Sequence, residues 1–209
     1  MRTRLLLAGG QALRRLPPAP DSGVSLLEVM LVLAFVVMLA AVTTPMAASA
    51  IDAGRARQAA EFVAARFRLA RQQAASGSTS VGLVFDAASG RSAFRVCVDG
   101  NGDGLRRAEI ETGEDPCPEG PYDLDVLYPG VRFAVDETLR GPDGEAGSPD
   151  AVRFGRSEIA SFSPAGTCTA GSLFVRSPNG LQYVIRVAGV TARTRVLRYD
   201  PSIRGWRDG

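Results

Sequence analysis

The sequence predicts an α+β fold, in which one long amino-terminal helix precedes an antiparallel β-rich head of two packed sheets. Two observations support this prediction. An apolar run leads into an amphipathic segment of helical period, and the rest of the chain alternates short β-type runs with Gly, Pro, Asn and Asp clusters. The content of 45% hydrophobic and 22% charged residues is that of a globular protein.

The apolar run extends over residues 24–51, and its only charged residue is Glu28. A helix crosses a bilayer with about 20 apolar residues, so this run is long enough. Four arginines precede it, and the next basic residue is Arg55. The positive-inside bias therefore predicts a single span with a cytoplasmic amino terminus and a head outside the cytoplasm.

Two ordinary interpretations of this run are less satisfactory. A secretory signal peptide ending at Ala48-Ser49-Ala50 should have an apolar region of roughly 7–15 residues, and this one is longer. A plain membrane anchor leaves the carboxylate of Glu28 without a partner, at a cost of about 2.5–3.5 kcal/mol on insertion scales.

The six residues Gly23-Val24-Ser25-Leu26-Leu27-Glu28 resemble the prepilin peptidase site of type IV pilins and type II secretion pseudopilins. The resemblance implies a leader, residues 1–23, that is cleaved after Gly23, and methylation of the new amino terminus at Val24. Glu28 then stands fifth in the mature chain, where the family uses it for subunit assembly. Pro45 stands twenty-second, where it removes a helical hydrogen bond and is expected to kink the helix.

The remaining chain divides by pattern into three further segments. Residues 24–50 are the transmembrane and assembly helix, residues 51–76 an amphipathic stem helix that packs on the head, and residues 77–209 the β-rich head. The apolar stripe of the stem contains Ala59, Phe62, Val63, Phe67, Ala70 and Ala74. Predicted strands are Val81–Asp86, Ala93–Val98, Asp125–Tyr128, Val131–Val135, Ala151–Phe154, Glu158–Phe162, Ser172–Arg176, Tyr183–Val187 and Arg195–Tyr199.

Segments at the junction of stem and head and near the end of the chain resemble one particular branch of these pilin-like proteins. The segments 67–74 and 81–85, with 183–187 near the end of the chain, are similar to the H-type pseudopilin and FimT minor pilin family. Members are minor subunits at the tip of a secretion pseudopilus or type IV pilus. The resemblance implies a protein of the bacterial inner membrane with a periplasmic head. Its expected partners are other pseudopilins or pilins and the prepilin peptidase.

An acidic segment of the head contains the first half of a calcium-loop pattern. Asp99, Asn101 and Asp103 alternate with glycines and supply oxygen ligands, so calcium is a candidate cofactor. The glutamate expected at the twelfth position is replaced by Ile110, with Glu109 and Glu111 beside it. The alternative is a Gly/Asn/Asp turn between two strands.

Three cysteines, Cys97, Cys117 and Cys168, lie in the part of the chain that faces an oxidising compartment under this topology. A Cys97–Cys117 bridge and a Cys117–Cys168 bridge are both compatible with the sequence, and either leaves one thiol. A stabilising disulfide is favoured over a redox role.

Charge is distributed unevenly along the head. Residues 86–149 contain fourteen acidic residues and six arginines, whereas residues 150–209 contain four acidic residues and nine arginines. Arg193 and Arg195 alternate along a predicted strand that continues to Arg198, and such a row can contact phosphates. FimT-type pilins that take up DNA have a Gly-Arg-x-Arg pattern near this point, and Ala192 here replaces the glycine.

The chain contains no histidine. A Ser-His-Asp or Cys-His nucleophile and a His-containing zinc site are therefore excluded, and we expect a protein that is not an enzyme.

Overall fold

A computed structural model describes residues 23–86 and 90–209. Apart from Gly23, the predicted leader lies outside the described residues. The chain divides into two compact units, one ending at Thr43 and one comprising Thr44–Gly209.

The long helix α1 comprises Leu26–Gly77 and ends one residue after the predicted end of the stem. Every residue from 23 to 51 is exposed. Burial begins at Ala56 and recurs at helical spacing, because from this point one face of α1 packs on the head. The buried positions are Ala56, Ala59, Ala60, Val63, Ala64, Phe67, Ala70 and Ala74.

The head is built from short strands with two short helices between them. The elements are β1 (Val81–Phe85), β2 (Ala93–Val98), α2 (Arg107–Thr112), β3 (Glu119–Asp123), α3 (Leu124–Leu127), β4 (Arg132–Phe133), β5 (Val152–Arg153), β6 (Ile159–Phe162), β7 (Gly171–Arg176), β8 (Gln182–Val187), β9 (Thr194–Asp200) and β10 (Gly205–Asp208).

Over the described residues these strands form two antiparallel sheets. The four-stranded sheet has the order β3-β2-β1-β6. The six-stranded sheet has the order β10-β9-β8-β7-β4, with β5 also paired to β7. One long apolar helix followed by antiparallel sheets confirms the α+β class predicted from the sequence.

One predicted strand is wrong. Residues 124–127 form the helix α3, not the strand predicted at Asp125–Tyr128. The Asp123 side chain accepts a hydrogen bond from the Asp125 N–H and so caps the helix. The carboxylate of Asp125 in turn accepts from the N–H of Gly130 at 2.8 Å. A short apolar run between such capping groups does not distinguish a strand from a helical turn by its periodicity.

Two strands were missed for a common reason, which is that their sequences resemble turns. Strand β3 contains Gly120-Pro121, and β10 begins with Gly205 and is mostly polar. Both are the outermost strands of their sheets. Proline is tolerated on an edge strand because the N–H that it lacks would face away from the neighbouring strand.

Phe67 of α1 lies at the centre of the core. Its ring centroid is 6.2 Å from Phe85 in β1, 5.6 Å from Phe154 and 6.0 Å from Phe162 in β6. Phe85 also contacts Phe133 of β4 at 5.7 Å. The inner faces of both sheets therefore meet around one side of α1 and share a single hydrophobic core with it.

A polar contact supplements this packing at the edge of the four-stranded sheet. The Arg66 guanidinium of α1 pairs with Glu119 of β3 at 2.8 Å and lies 4.4 Å from the centroid of the Tyr122 ring. Gln73, two helical turns farther along α1, donates to the other oxygen of Glu119. The outermost strand is thus held directly by the helix.

Replacing Phe67 with Ala should lower the free energy of unfolding by about 3–5 kcal/mol, because it removes a fully buried ring from the shared core. Leu69→Ala, two residues away on a partly exposed face, should cost about 0.5 kcal/mol or less. Urea unfolding of the full chain in detergent, followed by Trp206 fluorescence, measures both. Equal losses for the two variants would contradict the placement of Phe67.

Candidate functional site

The start of α1 brings together the residues of the predicted assembly site. The Ser25 carbonyl accepts hydrogen bonds from the N–H groups of Glu28 at 3.0 Å and Val29 at 3.2 Å, so the first helical turn begins at Ser25. Glu28 lies in that turn, where a negative charge is favoured by the helix dipole. Ser25 and Glu28 also have the spacing of a capping box, in which a serine and a glutamate three residues later stabilise the start of a helix. From the sequence, Glu28 is predicted only as an assembly residue, and this local role was missed.

The helix beyond this turn presents an uncovered apolar surface. Its large side chains from Leu26 to Ile51 are exposed, among them Met30, Leu33, Phe35 and Leu39. By length and composition, α1 is the one helix among the described residues that can cross a membrane. An exposed apolar surface of this extent is typical of a segment that contacts a membrane or another protein.

The helix α1 continues through Pro45. A proline lacks the N–H that would bond to the carbonyl four residues earlier. Just before it, the Thr43 hydroxyl donates to the Leu39 carbonyl at 3.0 Å. Such back-bonding often bends helices, and the kink at Pro45 stays a prediction.

The acidic segment after β2 is organised by two buried carboxylates. Asp99 accepts from the N–H groups of Gly102 at 2.7 Å and Gly104 at 2.9 Å. Asp115 accepts from Gly100 at 3.0 Å and from Arg106 at 3.1 Å. Asp99 and Asp115 are buried, so these bonds replace the water that the charges lose.

The three predicted calcium ligands are used within this segment. Besides Asp99, the Asn101 side-chain oxygen accepts from the Asp103 N–H at 3.1 Å, and the Asp103 carboxylate pairs with Arg106. Glu109 pairs with Arg106 as well. Among residues 23–86 and 90–209, no group of three or more acidic, Cys or His side chains is arranged to hold a metal ion. The geometry is that of a hydrogen-bonded turn, and calcium binding stays a prediction.

Of the two cysteine pairings left open by the sequence, the structure contains Cys97–Cys117. This disulfide closes the segment into what we call the acidic loop, residues 98–117. Cys168 is a free, half-buried thiol, and burial raises its pKa, with a smaller opposing effect of the nearby Arg71 charge.

The acidic loop covers the outer face of the four-stranded sheet. Leu105, Ile110 and Cys117 pack on Val84, Cys97 and Ile159, in a small hydrophobic cluster separate from the main core. Gly82 permits this approach, since a Cβ there would lie 2.7 Å from a Leu105 methyl group.

The arginines predicted to bind phosphate belong to the six-stranded sheet. Arg195 of β9 is directly opposite Arg186 of β8. Together with Arg193, Val187, Ala188 and Leu197, these two residues line an open cavity of about 250 Å³. We call Arg186, Arg193 and Arg195 the arginine face.

Not every predicted arginine joins this face. Arg198 follows Arg195 by three residues in an alternating strand, so it lies on the other side of the sheet, half-buried and opposite Tyr183. Conversely, Arg186 was missed from sequence because its contribution depends on the pairing of β8 with β9. The available signal was that two consecutive predicted strands, Tyr183–Val187 and Arg195–Tyr199, each contain an arginine.

Two members of the arginine face already hold carboxylates. Arg186 makes a two-pronged ion pair with Asp143, and Arg195 pairs with Asp208 at 2.8 Å. Arg193 is exposed, and no acidic partner for it occurs in the described part of the chain. Among the described residues, the face therefore combines one guanidinium without an ion pair and two that are partly neutralised.

No family model matches the chain, and neither a curated protein nor a solved structure matches it.

Removing the disulfide with Cys97→Ala and Cys117→Ala should lower the free energy of unfolding by about 3 kcal/mol, because the bridge closes a loop with a separation of 20 residues. Guanidinium unfolding of the full chain in detergent measures the change. Cys168→Ala is the matched control and should leave the midpoint close to that of the unchanged protein. A loss of the same size in the control would contradict the pairing.

Proposed function

We propose that this chain is a minor pseudopilin of the type II secretion system, processed by a prepilin peptidase after Gly23 and assembled near the tip of a periplasmic pseudopilus. The observation that carries the proposal is the place of Glu28. It is the one charged residue on an otherwise apolar, fully exposed stretch of helix, and it lies one turn after Val24.

The chemistry of such a site follows from its charges. Cleavage after Gly23 leaves a positive amino group at Val24, and methylation keeps that charge. In a staggered stack of helices, the Glu28 carboxylate of one subunit neutralises the terminal amine of its neighbour. Removal of one member leaves an unpaired charge in an apolar bundle, at a cost of about 3–5 kcal/mol.

Under this proposal the two parts of α1 have different roles. Residues 24–51 present apolar side chains suited first to the inner membrane and then to the helices of other pilins or pseudopilins. Residues 56–74 contribute their buried face to the core of the head. Under this proposal the protein is a structural subunit, and Glu28 is an assembly residue without a catalytic role.

When the full chain is coexpressed with a prepilin peptidase, its intact mass should correspond to a protein that starts at a methylated Val24. In the same cells, Glu28→Gln should insert in the membrane and be processed normally. It should nevertheless be lost from sheared or cross-linked pseudopilus fractions, because the neutral amide cannot pair with the amine.

Glu61→Gln is the matched control, since Glu61 lies on the same helix and should assemble normally. A mature chain that starts at Ile51, or that retains Met1, would overturn the processing proposal. Normal filament incorporation of Glu28→Gln would refute the assembly role.

A second candidate function is that of a FimT-like minor pilin that binds DNA. The observation in its favour is the cavity shared by Arg186, Arg193 and Arg195, where Arg193 has no acidic partner among the described residues. Clustered guanidinium groups can contact the phosphates of a nucleic acid backbone.

If DNA binds here, an Arg193→Ala/Arg195→Ala variant of the full chain should bind DNA at least about tenfold more weakly in a gel-shift titration at low salt. Arg204→Ala/Arg207→Ala removes the same charge from exposed positions outside the face, and its affinity should change much less. The absence of salt-sensitive binding by the unchanged protein would eliminate this function.

A further inference from the structure

The two sheets present surfaces of opposite charge on different sides of the head. On the four-stranded sheet, the face opposite the main core carries the acidic loop, residues 98–117. On the six-stranded sheet, Ile185 and Val196 point into the main core, so the neighbouring Arg186 and Arg195 point away from it. Since both sheets share one core between them, the two charged surfaces face outward in different directions.

The acidic loop has charge available for a partner. It contains six acidic residues and two arginines, a formal charge of −4. Asp99 and Asp115 are used within the loop, but Glu111 and Glu114 are exposed. Glu114 accepts a hydrogen bond from the neutral Asn101 amide, and no basic partner for Glu111 occurs in the described ranges.

The arginine face has a charge of the opposite sign. Its three arginines meet the carboxylates of Asp143 and Asp208, which leaves a net formal charge of +1. The face already binds carboxylates, because Arg186 and Arg195 each pair with one from this chain. Guanidinium groups bind carboxylates with two parallel hydrogen bonds, and the cavity between them has an apolar contribution from Val187 and Leu197.

We propose that the acidic loop of one molecule docks on the arginine face of a second copy of this chain, with Glu111 and Glu114 directed at Arg193 and Arg195. Carboxylates on a folded, disulfide-closed loop match a face that already binds carboxylates. The opposite signs of the two surfaces favour the same partner. This inference does not rest on the proposed pseudopilin function.

The symmetry of the contact follows from the positions of the two surfaces. Because the two surfaces face in different directions, two molecules make the loop-to-face contact once, in a head-to-tail arrangement, and the pair leaves one acidic loop and one arginine face open. Association should therefore continue beyond a dimer and should weaken as salt rises.

A charge-swap experiment on the full chain in nonionic detergent tests the proposal by sedimentation velocity and chemical cross-linking. Variant one is Glu111→Arg/Glu114→Arg, and variant two is Arg193→Glu/Arg195→Glu. Each alone should self-associate at least about tenfold more weakly than the unchanged protein at low salt, because like charges now meet. An equimolar mixture should associate again, since each variant then offers a surface complementary to the other.

The mixture separates loss of a contact from loss of fold, because two misfolded variants cannot restore each other. Arg204→Glu/Arg207→Glu reverses the same number of charges outside the face and should associate normally. Association through the apolar helix alone would be unchanged in both variants, and that result would overturn the proposal. So would failure of the mixture to associate, or an arginine-face variant that loses DNA binding while its self-association is unchanged.

Discussion

The burial of one face of α1 between two sheets is the interaction on which the head depends. The alanines of that face allow the strands to approach the helix closely, and Phe67 fills the space among Phe85, Phe154 and Phe162. The strands form two separate ladders over the described residues, so side-chain packing around α1 and the contacts of Phe85 with Phe133 and Phe154 unite the two sheets. The Arg66–Glu119 pair extends the same attachment to the edge strand.

The acidic loop illustrates how a surface segment acquires order without joining this core. Its backbone is held by the carboxylates of Asp99 and Asp115, its ends by the disulfide, and its apolar side chains by a small separate cluster. The internal hydrogen bonds occupy the buried carboxylates of Asp99 and Asp115, whereas the carboxylates of Glu111 and Glu114 are exposed. In the arginine face, carboxylates of the same chain likewise pair with Arg186 and Arg195, whereas Arg193 is exposed.

The proposed functions make different physical demands on the chain. Pseudopilus assembly requires an apolar environment for residues 24–51 and a partner for Glu28, whereas contacts of the head are electrostatic and depend on ionic strength. A bundle of apolar helices gives affinity with little selectivity. Under the proposed self-association, charged surfaces on the head would add the preference for one neighbour and one orientation.

The sequence by itself determined the α+β class, the extent and end of the long helix, its buried stripe and most strands, because these follow from local hydrophobic periodicity and from turn residues. It failed where local pattern and tertiary context disagree. The run after Asp123 has the pattern of a strand but forms a helix, because the Asp123 side chain caps it. The residues around Gly120-Pro121 have the pattern of a turn but form a strand at the edge of a sheet. Only the tertiary structure decided that Cys97 pairs with Cys117 and that Arg186 joins Arg195, since strand pairing and register bring together residues that no local pattern relates.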